Sequence, residues 1–358
     1  MAVHFHNLTI KNVHKETPDS IVITFEIPEN LQETFRYTQG QNLTLKTNIN
    51  GEQIRRSYSI CSAPFEGLLQ VAIRKTAYGK FSGYANDYMK AGDSIEVLPP
   101  TGRFYTKLDP YNKNNYLAIA AGSGITPIIS IIKTTLNTEP NSSFTLIYGN
   151  RSRSSIMFFE ALEALKNQYM ARFNFVHILS REKTDASINS GKINAEKLTE
   201  LSKLINYNSF DEIFICGPET MLFYAKDFLE LQGVNKKNIH FELFTTPGQK
   251  TIETTTSKTD GDNTAQSNIT IKLDGRSVNF NLPFNSESIL DAALKQGADL
   301  PFACKGGVCS TCRAMLTEGK VSMDNNYALE AEELEQGFIL TCQSHPLTAN
   351  VAIDFDRR

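Results

Sequence analysis

Four cysteines carry the most specific chemistry in this chain. Cys304-Lys-Gly-Gly-Val-Cys309-Ser-Thr-Cys312 sets three of them at C-x4-C-x2-C spacing. Cys342, in Leu340-Thr-Cys342-Gln, follows after 29 intervening residues. That is the spacing at which four thiolates hold a [2Fe–2S] cluster. Adjacent Gly306 and Gly307 would let backbone amides crowd around sulfide, and Ser310 and Thr311 are small enough to complete the loop. A zinc site or a pair of disulfides is the alternative. Zinc sites usually combine two C-x2-C knuckles, and here there is one. A one-electron centre needs a source of electrons, which the remaining residues must supply.

Arg56-Ser57-Tyr58-Ser59 places a cation, an aromatic ring and hydroxyls along one extended stretch. Alternation puts Arg56 and Tyr58 on one face, where a guanidinium suits a pyrophosphate and a phenol ring suits a flat ring system. A surface arginine beside a strand tyrosine would look the same. Gly79-Lys80-Phe81-Ser82 precedes a helix expected from about Gly83 to Lys90, and is either an anion site or a plain cap. Further on, Gly122-Ser-Gly124-Ile-Thr126-Pro127 turns a buried strand into a helix expected over 127–136, with Thr126 as its cap. Three more strand ends carry Asn150-Arg151-Ser-Arg153, Ser180-Arg181 and Cys216-Gly217-Pro218-Glu219. Arginines on the same rim as a glycine turn fit a nucleotide carrying phosphates, or are ordinary solvated charges. Cys216 read alone is an inert buried thiol. The six histidines are scattered without metal spacing.

The elements that must position these residues change character along the chain. Residues 1–110 hold short β-rich runs separated by turns such as Asn50-Gly51, the pattern of an antiparallel β-barrel or sandwich. Residues 111–246 alternate strand and helix, which indicates a doubly wound parallel sheet binding ligands outside its carboxyl ends. The G-x-G-x-x-G fingerprint is absent. Residues 247–267 are rich in Thr, Ser, Gly, Asp and Lys and read as a flexible linker. From 268 to 358 a hairpin, a helix capped by Ser288, the cysteine loop and an acidic stretch around Glu330–Glu335 form a third, α+β domain.

Composition narrows the functions. With 358 residues the chain exceeds the size at which single cores stop growing, about 250–300 residues, so several domains are expected. A net charge of −3 gives no reason to expect nucleic acid or an anionic membrane as partner. No run of 18 apolar residues and no leader-like start is present, and only Cys61 and Cys216 lie outside the cluster set; a cytoplasmic protein is expected. Residues 268–358 carry 12 acidic and 8 basic residues, a net of −4, whereas the remainder carries +1. An acidic cluster domain could dock a basic surface, or its glutamates are merely a solvated helix face.

Taken together, Arg56-Ser-Tyr-Ser59, Gly79-Lys-Phe-Ser82, Gly122-Ser-Gly-Ile-Thr-Pro127, Cys216-Gly-Pro218 and the four cysteines resemble, over nearly the whole chain, the ferredoxin–NADP reductase superfamily fused to a C-terminal plant-type ferredoxin domain. The likeness is nearest to reductase subunits of phenylacetyl-CoA epoxidases, and ketosteroid 9α-hydroxylase reductases share the layout. The resemblance implies a flavin barrel, an NAD(P) domain and a β-grasp ferredoxin domain. It also implies electron flow from NAD(P)H through FAD and the cluster to an oxygenase component. Under it, Arg56 binds the flavin pyrophosphate, Ser57 lies in the same motif, Tyr58 packs on the isoalloxazine and Ser59 sits near N5. Ile73, Arg74 and Lys75 run along the ribityl and diphosphate, and Ser82 of the Gly79-Lys80-Phe81-Ser82 loop caps the diphosphate. Gly122, Gly124 and Thr126 underlie the nicotinamide nucleotide, and Cys216 approaches its ring in a pocket shaped by Gly217 and Pro218. Tyr58, Ser59 and Cys216 are thereby the expected catalytic residues. Ser180 and Arg181, with Arg151, match a 2′-phosphate site, so NADPH is favoured; Glu182 leaves NADH as the alternative. No residue distinguishes FAD from FMN, and the role of Phe244 is open because the chain continues beyond it.

Overall fold

The computed structural model describes residues 4–244, 266–284 and 286–357. Most of the expected 247–267 linker lies outside them. The chain divides into two compact units, one spanning His6–Phe244 and the other containing the C-terminal residues.

The first unit opens with strands β1 (His6–Thr17), β2 (Ser20–Glu26), β3 (Asn42–Ile49), β4 (Glu52–Ser59) and β5 (Leu69–Arg74), then helix α1 (Lys80–Tyr88) and strand β6 (Ser94–Val97). They pair antiparallel in the order β4-β3-β6-β1-β2-β5. An antiparallel bridge between Ile60 and Val71 joins the two ends, reinforced by Cys61 N–H donating to the Gln70 carbonyl at 2.9 Å. The result is a closed barrel without a free edge.

There follow β7 (Asn115–Ala121), α2 (Ile125–Thr138), β8 (Ser143–Asn150), α3 (Phe159–Gln168), β9 (Phe173–Leu179), α4 (Ala195–Leu201), β10 (Glu212–Gly217), α5 (Glu219–Leu231) and β11 (Ile239–Leu243). The strands form a parallel sheet in the order β11-β10-β7-β8-β9. Strand order reverses between β7 and β10, which makes the crevice at their carboxyl ends the expected ligand site.

Barrel and sheet share a core, and period-two alternation shows how. Ile21, Ile23, Val71 and Ile73 fill the barrel interior, while the intervening Val22 and Ala72 join the cluster built around Tyr116, Ile128 and Phe214. These strands are buried on both faces, so they lack polar alternation. Phe104 meets Phe214 edge-on at 5.4 Å, and the Ser130 hydroxyl donates to the Ser62 carbonyl at 2.6 Å.

Two helices start earlier than the sequence reading places them. α1 begins at Lys80 with Gly79 as its cap, so Ser82 lies inside the first turn. α2 follows a 3-10 turn at Gly122–Gly124 and begins at Ile125. Pro127 is then its third residue, where an N–H has no intrahelical partner to lose. Thr126 does not cap; its hydroxyl donates to the Ser123 carbonyl at 3.0 Å.

The C-terminal unit comprises β12 (Gln266–Leu273), β13 (Arg276–Pro283), α6 (Ile289–Lys295), β14 (Arg313–Glu318), β15 (Val321–Met323), α7 (Ala331–Glu335), β16 (Phe338–Leu340), β17 (Ser344–Pro346) and β18 (Asn350–Asp354). Its main sheet runs β13-β12-β18-β14-β16, with β12 parallel to β18 and the other pairs antiparallel. β12 starts two residues before the expected hairpin, because Ser267 and Gln266 continue its register against Leu282 and Pro283. No helix among the described residues is long and apolar enough to cross a membrane.

One half-buried titratable group affects stability. His177 on β9 lies among Phe175, Phe159 and Tyr148 at 4.7, 5.7 and 6.0 Å, and neither ring nitrogen has a hydrogen-bond partner. Burial, with Arg153 nearby, pushes its pKa down to about 4. Above its ordinary pKa the ring is neutral in both folded and unfolded chains. As pH falls below about 6.5 the unfolded chain takes up a proton that the fold refuses. Acid should therefore remove about 1–2 kcal/mol by pH 5 after allowance for partial exposure. His177→Phe should show a smaller loss of urea midpoint between pH 7 and pH 5 than the wild type; equal losses would show that the ring protonates freely in place.

Candidate functional site

The crevice at the strand-order reversal is built by close backbone packing. A Cβ on Gly124 would lie 2.1 Å from the Cys216 carbonyl oxygen and 2.8 Å from Gly217 N. Only glycine lets the turn after β7 rest on the end of β10. Gly217 is less constrained: its Cβ would stand 2.7 Å from Met221 Cε, the movable end of a side chain, and 3.2 Å from Ala121 N. Gly122 adopts φ +53° and its carbonyl accepts from the Tyr148 hydroxyl at 2.9 Å. Thr126 is buried behind the turn, and Pro218 is exposed at the cap of α5.

Cys216 is fully buried. Burial pushes its thiol well up, and the nearby Glu242 adds to the shift, so the sulfur stays protonated. Glu242 pairs with Cys216 in register across β10 and β11, and accepts the Ser59 hydroxyl at 3.1 Å. Ser59, Cys216 and Glu242 thus meet where barrel and sheet join. Sequence reading passed over Glu242. A carboxylate in the otherwise half-apolar Ile-His-Phe-Glu-Leu strand is a signal, but its partner Ser59 lies 183 residues away.

On the barrel side, Arg56 and Tyr58 share one face of β4, both half-buried. The Tyr58 ring packs 5.5 Å from that of Phe81, and burial pushes its phenol above the ordinary range against the pull of Arg56. Ser57 faces the other way, 3.1 Å from the Thr44 hydroxyl. Arg74 donates from Nε to Asp19 at 2.9 Å. Burial opposes charge on Asp19, but the Thr17 hydroxyl and Arg74 outweigh it and hold the carboxyl below its ordinary range. A Cβ on Gly122 would lie 3.2 Å from Arg74 Nη1, so this guanidinium reaches the glycine turn.

Other expected residues are engaged differently. The Ile73 and Phe81 side chains sit in the barrel core, leaving only their backbone for a ligand. Lys75 and Lys80 bind Asp87 and Glu52 at 2.7 and 2.5 Å on the surface. Ser82 Oγ accepts the Thr76 N–H at 3.2 Å and lies 3.0 Å from the Thr76 hydroxyl. A Cβ on Gly79 would collide with both hydroxyls, at 2.2 and 2.3 Å. Ser82 therefore closes the 76–82 loop, and the amides of the first α1 turn remain as anion donors. A guanidinium, a half-exposed phenol ring and a glycine-bounded helix start fit a flavin nucleotide.

At the outer rim, Ser180 N–H donates to the Asn150 carbonyl at 2.9 Å and Arg181 N–H to the Arg151 carbonyl at 2.8 Å. The β8–β9 ladder thus extends past its strands and sets exposed Arg151 beside exposed Arg181. Glu182 Oε2 accepts the Arg153 N–H at 2.7 Å. Its carboxylate is tied to the loop.

In the C-terminal unit, Cys309, Cys312 and Cys342 are buried and Cys304 is half-buried; none forms a disulfide. Among the described residues no three potential ligands converge on one ion. The thiols instead act on one another in two pairs, Cys304 with Cys309 and Cys312 with Cys342. Within each pair the neighbouring thiol pulls one member down (Cys309, Cys342) and pushes its mate up. Two pairs of two fit a two-iron cluster better than a single zinc.

The loop bends to suit. Lys305, Gly307 and Ser310 adopt φ of 51°, 75° and 50°. The backbone requires glycine at Gly307, whose Cβ would lie 2.8 Å from the Asn325 carbonyl. Gly306 N–H donates to Cys304 Sγ at 3.3 Å. Gln343 Nε2 donates to the Lys305 carbonyl at 2.9 Å and Thr341 Oγ1 to the Cys312 carbonyl at 3.0 Å, locking ligand-bearing segments together.

Comparison with known proteins agrees with this division. Family models match for an oxidoreductase FAD-binding domain at residues 7–105, an oxidoreductase NAD-binding domain at 118–227 and a 2Fe-2S iron-sulfur cluster binding domain at 271–347. The chain is 46% identical to one of the subunits of the 1,2-phenylacetyl-CoA epoxidase of Escherichia coli, covering 99% of this chain and 98% of that one. It is 33% identical to the ferredoxin reductase component of 3-ketosteroid-9-alpha-monooxygenase from Rhodococcus rhodochrous, over 97% and 96% of the two chains. In fold it is similar to phthalate dioxygenase reductase, with a TM-score of 0.59, 22% identity and 98% coverage of both chains. A barrel that holds FAD, a parallel sheet that holds a nicotinamide nucleotide and a ferredoxin-type [2Fe–2S] unit, matched end to end by such relatives, make this chain an oxidoreductase of the ferredoxin–NADP reductase superfamily, in its family of oxygenase reductase components.

Proposed function

We propose that this chain takes electrons from NADPH and delivers them, through FAD and the cluster, to the oxygenase component of a phenylacetyl-CoA epoxidase in the cytoplasm. The observation that carries the acceptor is the end-to-end likeness to the bacterial epoxidase protein, 46% identical against 33% for the ketosteroid relative. When bound, the flavin accepts a hydride and the cluster passes electrons singly. The residues supply position. Tyr58 and Arg56 would seat the flavin, with Arg74 and the α1 amides at its phosphates. Gly122 and Gly124 leave room for the nicotinamide nucleotide beside Ser59. The protonated Cys216 would act as a packing wall, while Ser59 and Glu242 hold a hydrogen bond at the hydride-transfer locus.

Nucleotide preference follows from the rim. Arg151 and Arg181 stand side by side with Ser180, and Glu182 is committed to the Arg153 amide, which supports a 2′-phosphate over a free ribose diol. Placement in the cytoplasm is supported by the free cysteines.

Two outcomes test the reading. Replacing Cys309 with Ser should abolish electron delivery to the epoxidase oxygenase component while NADPH-dependent ferricyanide reduction persists; parallel loss of both would break the division of labour. Arg181→Ala should raise KM for NADPH on the order of 10- to 100-fold and leave KM for NADH nearly unchanged. An equal change for both nucleotides would remove the phosphate assignment.

A further inference from the structure

Arg313 directly follows the ligand Cys312 and opens β14. It pairs in register with Leu340, two residues before Cys342, so it stands one residue beyond the ligand Cys312 on the strand that faces the Cys342 segment. Its side chain is turned inward, 13% exposed, and stacks over the Phe338 ring at 4.2 Å. There its Nη1 meets Glu333 Oε1, on a side chain 5% exposed. The other carboxylate oxygen accepts the Glu330 N–H at 3.2 Å. Glu333 is thus the one acidic residue of α7 that turns away from solvent; Glu332 and Glu335 are exposed.

Such a pair is not explained by stability alone. Burying two charges costs solvation that their attraction barely returns, and apolar residues of similar volume often hold a fold as well or better. Its position suggests a different role. Adding an electron to a cluster is favoured by a nearby positive charge, and net local charge is one of the determinants of cluster potential. A lone guanidinium beside Cys312 would make the cluster easier to reduce and a weaker donor. A buried carboxylate in contact cancels that field while the guanidinium still fills its place against Phe338.

We propose that Arg313 and Glu333 are a potential-setting pair: Glu333 neutralises the cation next to the cluster ligands and so keeps the cluster a strong reductant. The test is an EPR-monitored redox titration of the full-length, cluster-loaded protein. Glu333→Gln should move the cluster midpoint to more positive potential and Arg313→Gln to more negative potential. Arg313→Lys, which keeps the charge, should stay near the wild type, and the double variant Arg313→Gln/Glu333→Gln should return toward it. If Glu333→Gln does not hold a cluster, the separation of Arg313→Gln from Arg313→Lys still decides the sign. Shifts in the same direction for the two Gln variants, coincidence of Arg313→Gln with Arg313→Lys, or cluster loss from both Gln variants would overturn the proposal, leaving the pair as a structural strut.

Discussion

The contact on which the larger unit depends is that of Gly124 with the backbone of Cys216 and Gly217. It is a steric constraint, and it has electronic consequences. Because no Cβ stands at Gly124, the turn after β7 closes onto the end of β10 at the point where strand order reverses. That closure buries Cys216, sets Glu242 alongside it and leaves Ser59 within hydrogen-bonding distance of Glu242. Barrel and sheet are therefore joined at the place we propose for the meeting of flavin and nicotinamide. A reaction that transfers a hydride needs its two rings held in contact, and a rigid junction provides this without any mobile catalytic side chain. In such chemistry position does most of what the protein contributes.

The cluster unit solves a different problem by similar means. Its loop has little regular structure, yet Gln343, Thr341 and the left-handed residues Lys305, Gly307 and Ser310 fix it from behind. Strain of this kind persists only where surroundings over-determine the backbone. Arg313 of the Arg313–Glu333 pair stands next in sequence to the ligand Cys312, and the pair would set the loop's electrostatic surroundings.

Much of this was legible in the sequence, for identifiable reasons. The β-to-βα change near residue 111 shows in hydrophobic period, and the C-x4-C-x2-C spacing is a strong local signal. Helix starts were less legible: Pro127 reads as a first helical residue, but the chain needed a 3-10 turn at Gly122–Gly124 to reach the end of β10, and the helix took in Ile125 and Thr126. Ser82 reads as a phosphate cap until its hydroxyl is seen closing its own loop. Glu242 and Glu333 could not be paired from sequence, because Ser59 and Arg313 are brought to them only by strand packing. Ile73 and Phe81 sit in motif positions yet point inward, since alternation along a barrel strand and the buried face of α1 settle side-chain direction before any ligand is considered.

The central claim is a sequence of electron transfers, and its order is directly observable. Under anaerobic conditions, rapid mixing of the fully loaded protein with one equivalent of NADPH would be followed by flavin absorbance and by the EPR signal of the reduced cluster. The account predicts that flavin bleaching comes first and that the cluster signal grows in a later phase as flavin colour partly returns. A cluster signal that rises without prior flavin bleaching, or that never follows it, would contradict the account.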